Sequence, residues 1–182
     1  MDPLTPSNAS GWCLFLAGRY ADAAARLETT EVQRGRRGIN PLRAAAYARA
    51  GQVEKARALR DEVRRSQPPG QNPATDWWLI YVHLAEGDRR GARRLADLWW
   101  NNAGKSATTW LLVAQMYGAL DDADRVVECY LRVSERCDNP DPCPGGWDSW
   151  MFDESMYSDR VRRDPRLLDL ASKIRERRGG KN

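Results

Sequence analysis

Residues 40–68 read NPLRAAAYARAGQVEKARALRDEVRRSQP. Nearly every residue favours a helix, yet Gly51 interrupts the run near its middle. Before the interruption Leu42, Ala45, Ala46 and Arg49 recur at three- and four-residue steps; after it Val53, Ala56, Leu59 and Val63 do the same. That is helical periodicity. Asn40 is a good N-cap ahead of Pro41 at a first helical position, and Gly51 suits the left-handed residue that ends a helix. Pro68 closes the second half. The stretch predicts two short helices folded into a hairpin, since one long helix cannot fold back to shield its own apolar face.

The same grammar recurs along the chain. AGRYADAAARL (17–27), AGQVEKARAL (50–59), EGDRRGARRL (86–95) and LDDADRVVECY (120–130) each place a turn residue five positions before a small or β-branched one. The turns are Gly18, Gly51, Gly87 and Asp121, spaced by 33, 36 and 34 residues; the partners are Ala23, Ala56, Ala92 and Val126. Two helices cross at close range only where a side chain is nearly absent, with large residues filling the neighbouring gaps. A period near 34 residues is that of the tetratricopeptide repeat.

The fourth unit resembles a tetratricopeptide repeat (TPR) in detail: Trp110, Ala114 and Tyr117 fall where the family's first helix carries Trp, a small residue and Tyr, and Tyr130 falls at the second helix's aromatic. Ala44, Tyr47, Ala56 and Pro68 fit the pattern in the second unit, and Ala23 and Ala92 in the first and third. Asp121 and Val126 depart from the usual Gly and Ala. The resemblance covers residues 5–137 and implies an all-α fold, a right-handed superhelix of antiparallel helical hairpins at about 5–31, 40–67, 74–103 and 107–137. A loop at 138–147 and terminal helices at 148–177 then cap the array, within a single domain of residues 1–178 and a disordered tail at 179–182. In DPRLLDLASKIRERR, Asp164 is the expected N-cap, Pro165 the first helical residue, and Leu167, Leu168, Ala171 and Ile174 the apolar stripe. The segment VRRDPRLLDL also resembles the ending of bacterial TPR regions beside signalling modules such as adenylate cyclases and winged-helix regulators, which points to a regulatory or scaffolding setting.

Composition narrows the function classes. A 42% hydrophobic fraction and eight Trp in 182 residues argue against disorder. No apolar run approaches the roughly 20 residues that span a bilayer, so no membrane partner is expected. GWCLFLAG (11–18) is short and preceded by Asp2 instead of a basic stretch, unlike a signal peptide. The expected compartment is the cytoplasm, or the periplasm or cell exterior if the chain is a piece of a membrane-anchored protein. The net charge is +4, and only four of the 29 basic residues are Lys. These charges are interleaved with acids. The local excesses are Arg34, Arg36 and Arg37 and the run from Arg160 to Lys181, so an RNA-binding array is an alternative reading while the dispersal argues against a nucleic-acid surface.

Candidate chemistry is sparse. His83 is the lone histidine, placed where the TPR pattern has a buried Tyr, with no nucleophile or carboxylate set beside it by the sequence; it reads as a packed core residue. Asp148, Asp153, Glu154 and Asp159 supply the enzymatic alternative, since paired acids perform glycosidic chemistry; their simpler reading is capping and surface charge. Cys13 and Cys129 read as small core residues. Cys137 and Cys143 bracket DNPDP and form a loop-closing disulfide if the protein is exported. No C-x-x-C pair occurs, and nothing in the pattern asks for a metal or cofactor.

The expectation is a non-enzymatic protein–protein interaction module with a protein or peptide partner and an open oligomeric state. The TPR resemblance implies that the partner lies on the concave face formed by the first helices, which carries Trp12, Phe15, Arg49, Trp77, Tyr81, Leu84 and Gln115. Trp77 and Trp78 are expected on one helix about 100° apart, Trp77 facing the groove and Trp78 its flank. The carboxylate clamp of the chaperone-tail subclass is not reproduced: Asn8, Trp12, Leu42, Ala74 and Trp78 occupy its places.

Overall fold

The computed structural model describes residues 6–33, 41–66, 77–104, 106–137 and 157–179. Every regular element among them is a helix. They fall into two compact units, Met1–Leu95 and Ala96–Asn182.

The first unit holds α1 (Pro6–Leu16), α2 (Tyr20–Gln33), α3 (Pro41–Arg49), α4 (Val53–Ser66), α5 (Leu79–Ala85) and the first half of α6 (Arg89–Asn102). α1 packs on α2 and α3 on α4, while α3 also packs on α2 and α5, and α4 on α5. These approaches are close because the facing residues are small. Ala23, Ala44, Ala45, Ala46 and Ala56 are fully buried, and a Cβ on Gly11 would stand 2.6 Å from Leu27. Glu86, at the end of α5, is half-buried and receives Arg57 Nε of α4 at 2.8 Å and the Arg60 guanidinium; Arg57 also reaches Glu54 at 2.9 Å. Burial by itself would raise the Glu86 carboxyl, but the hydrogen bonds from Arg57 and Arg60 outweigh it and hold its pKa below the ordinary value.

The second unit holds the rest of α6, α7 (Ala107–Ala119), α8 (Ala123–Cys137), α9 (Asp159–Arg162) and α10 (Pro165–Gly179). Ser106 caps α7 by accepting the Thr109 amide, and α7 and α8 form the hairpin onto which α9 and α10 pack. Trp100 of α6 meets Trp110 and Tyr117 edge-on at 5.0 and 5.7 Å. Arg125 lies 4.2 Å above the Trp100 ring, and Arg132 lies near both Trp100 and Trp110, the two guanidiniums sharing the Glu128 carboxylate.

The four expected turns fall at the residues named. Gly18, Gly51 and Gly87 have φ of 72°, 75° and 75°, and Asp121 has φ of 63°. In each, the turn N–H donates to the carbonyl three residues back and the next N–H to the carbonyl five back. That pair of bonds is the Schellman closure, which needs a left-handed residue at its centre. Five positions on, Ala23, Ala56, Ala92 and Val126 are all fully buried.

Three expectations are corrected. Trp77 and Trp78 do not share a helix; they form the turn before α5, where Trp78 is the N-cap residue. Leu168 is 52% exposed, and α10 instead buries Leu167 and Leu170; packing on α8 and α9 turns the 167/170 face, three residues apart, inward. Cys13 is exposed, because α1 turns Phe15 and Gly11 to the core, whereas Cys129 is buried as expected. Burial pushes the Cys129 thiol far up, which makes it inert as a nucleophile.

Candidate functional site

The first unit gathers aromatic side chains from three helices and a turn around one guanidinium. Phe15 of α1 meets Trp78 edge-on at 5.5 Å, Tyr20 of α2 at 5.2 Å and Tyr81 of α5 at 6.0 Å. Trp12, one helical turn before Phe15 on α1, meets Trp78 edge-on at 5.4 Å and lies nearly parallel to Phe15. Trp77 stacks on Trp78 with ring centres 3.6 Å apart. Edge-to-face pairs align a positive ring edge with a negative ring face, so a cluster of this kind adds directional attraction to its buried area.

Arg49, the last residue of α3, reaches this cluster from above. Its carbon Cζ lies 4.7 Å from the Tyr20 ring centre and 5.6 Å from that of Tyr81, and its guanidinium donates to the Tyr20 hydroxyl. The guanidinium is thus held over π faces while the residue stays exposed. Among the expected groove residues, Phe15, Trp77 and Tyr81 are buried and Trp12 and Leu84 are half-buried. Trp12, Phe15, Arg49, Trp77 and Tyr81 come together; Leu84 lies one turn further along α5. Gln115 sits on α7 in the second unit, 2% exposed, with no partner for Oε1 among the described residues. Of the clamp positions, Leu42 and Trp78 are buried, and Ala74 lies outside the described residues.

One polar pair was missed by sequence reading. His83 Nδ1 lies 3.0 Å from Asp88 Oδ2, and Asp88 Oδ1 accepts the Gly91 amide at 2.8 Å, capping α6. The Gly91 amide first, and His83 after it, hold the Asp88 carboxyl below its usual range. The signal was present in the turn itself: a Schellman closure bonds the amide after the glycine to the carbonyl five residues back, here Asp88 to His83 at 2.9 Å. That brings the two side chains to one spot.

The acids set aside for an enzymatic reading do not assemble among the described residues. Asp159 is exposed and paired with Arg162 on its own short helix, and Asp148, Asp153 and Glu154 lie outside the described residues. No group of three or more His, Cys, Asp or Glu side chains that could hold a metal occurs among the described residues. Cys137 ends α8, its side chain and all of Cys143 lying outside the described residues, as do Arg34, Arg36 and Arg37. No described helix is long and apolar enough to cross a membrane. Comparison with protein-family models, with curated proteins and with solved structures finds no match.

Proposed function

We propose that the chain is an array of TPR-like hairpins that serves as a non-enzymatic scaffold or regulatory module, binding a peptide segment of a protein partner. What carries the repeat reading is the fourfold recurrence of one device: a left-handed turn closed by the same two hydrogen bonds, followed five residues later by a fully buried small or β-branched side chain. The packing of α3 on both α2 and α5 supports it, since stacked repeats place a first helix against the preceding hairpin and against the next first helix.

The binding surface of this reading lies over the aromatic cluster of the first unit, where Trp12, Arg49 and Leu84 reach solvent. Phe15, Trp78 and Tyr81 form the floor that fixes them. A guanidinium already immobilised on two tyrosine rings loses little further freedom on binding, and Trp and Arg are the residue types that dominate interface energies. The surface suits an apolar side chain packed on Trp12 with a carboxylate or carbonyl oriented by Arg49.

Selection of binders from a random peptide library with the full chain tests this. The selected peptides are expected to lose about 2 kcal/mol, roughly 30-fold, on Trp12→Ala and on Arg49→Ala, which trim solvent-facing groups and leave the floor intact. Selected peptides that bind both folded variants as tightly as the parent chain would overturn the assignment.

A further inference from the structure

The last hairpin carries a socket that the chain fills with its own later segment. Tyr157 lies against Gly118 of α7 so closely that a Cβ at that position would stand 2.0 Å from its ring carbon Cδ1. Its hydroxyl is 2.6 Å from that of Tyr130, and both residues are buried. Ser158 donates to the Asp121 carboxylate and accepts the Val161 amide at 3.3 Å, so the residue that caps α9 also ties it to the α7–α8 turn. Arg160 reaches Asp121 at 3.4 Å and Arg166 reaches Asp124 at 2.7 Å. Tyr157, Ser158, Arg160 and Arg166 therefore match Gly118, Tyr130, Asp121 and Asp124 by shape, hydrogen bonding and charge.

The fit is close at one end and open at the other. Beyond Arg166, α8 and α10 leave a cleft of about 410 Å³ lined by Val127, Leu131, Leu170 and Lys173, and Leu131 is 47% exposed. Arg160, Arg166 and Asp124 are more than half exposed, and ion pairs so placed contribute little. Attachment thus rests on Tyr157, the Ser158–Asp121 hydrogen bond and the few apolar residues behind them. Nineteen residues, 138–156, join α8 to Tyr157. A chain of that length spans up to roughly 60 Å when extended.

We infer that this socket is an interaction surface whose partner is a second copy of the chain, the segment from Tyr157 to Leu170 passing from the last hairpin of one copy to that of the other. Each copy carries the sequence that fits the socket, so exchange needs no new complementarity, and a hairpin freed of its own segment is the receptor for another's. The linked segment competes at an effective concentration in the millimolar range, so exchange emerges at high chain concentration or when the internal contact is weakened.

Complementation of two full-length variants tests the inference. Gly118→Ala blocks the socket, leaves the segment intact and improves the helix propensity of α7. Tyr157→Ala leaves the socket open and its own segment without the plug. Light scattering on each alone is expected to give the single-chain mass, and on their equimolar mixture a one-to-one dimer, the first variant's segment lodged on the second's hairpin. Should Tyr157→Ala lose its helical circular dichroism, Tyr157→Leu replaces it in the same mixture, keeping an apolar side chain at Gly118 and forfeiting the hydroxyl pair. A mixture that stays at the single-chain mass, or either variant dimerising alone, would overturn the inference; in the first case the socket serves only the chain's own segment.

Discussion

At Gly51 the backbone takes a shape that a side chain resists, and the space around it is empty. A Cβ there would meet nothing within 4 Å, so the penalty of Gly51→Ala is conformational alone, about 1–2 kcal/mol for a left-handed backbone. Ala56, five residues on, is the opposite case: its backbone is ordinary and its surroundings are full. Ala56→Leu is expected to cost about 1–3 kcal/mol through overpacking. Urea unfolding of both variants checks the pair, and a neutral Ala56→Leu would mean that the hairpin does not close at that point. These positions were legible because a period of about 34 residues repeats them four times. Trp77 and Trp78 were not. The repeat pattern sets both on the first helix of the third hairpin, whereas the turn that holds them folds one ring onto the other. Substitutions at buried Trp77 or Tyr81 would change stability before they changed binding, which is why Trp12 and Arg49 are the better probes.

Between elements, Glu86 ties α5 to α4 through Arg57 and Arg60, and this contact makes stability depend on pH. Its carboxyl has a lower pKa folded than unfolded, where 4.5 is the ordinary value. The folded state therefore binds fewer protons through this group, and its contribution is fully present above the unfolded pKa. It fades as pH falls through the folded one. Glu86→Gln is expected to lower stability by about 2 kcal/mol at neutral pH, as for a hydrogen bond to a charged group, and the gap between variant and parent should close on acidification below pH 4. A gap unchanged between pH 7 and pH 3 would show that the carboxylate's charge is not what joins these helices. The helices and their turns were readable from propensity, but the Arg57–Glu86–Arg60 contact spans 26 and 29 residues and depends on how hairpins stack. The exposed register of α10 was illegible for a related reason: two adjacent leucines, Leu167 and Leu168, allow either face, and only packing on α8 chooses.

At the scale of the molecule, local pattern reached further for the fold than for the site. The cluster around Phe15 draws on α1, α2, α3, the turn before α5, and α5 itself. Sequence order brought its residue types into view, while their sorting into buried floor and exposed margin required the assembled unit. That margin is where a partner is proposed to lie. Hydrogen exchange by mass spectrometry, run on the full chain with and without the tightest selected peptide, compares all described helices in one experiment. The reading expects slowed exchange on residues 10–20, 41–52 and 77–85, with α8 to α10 unchanged. Protection confined to α8, α9 and α10, or none on α1, α3 and α5 at saturating peptide, would contradict it.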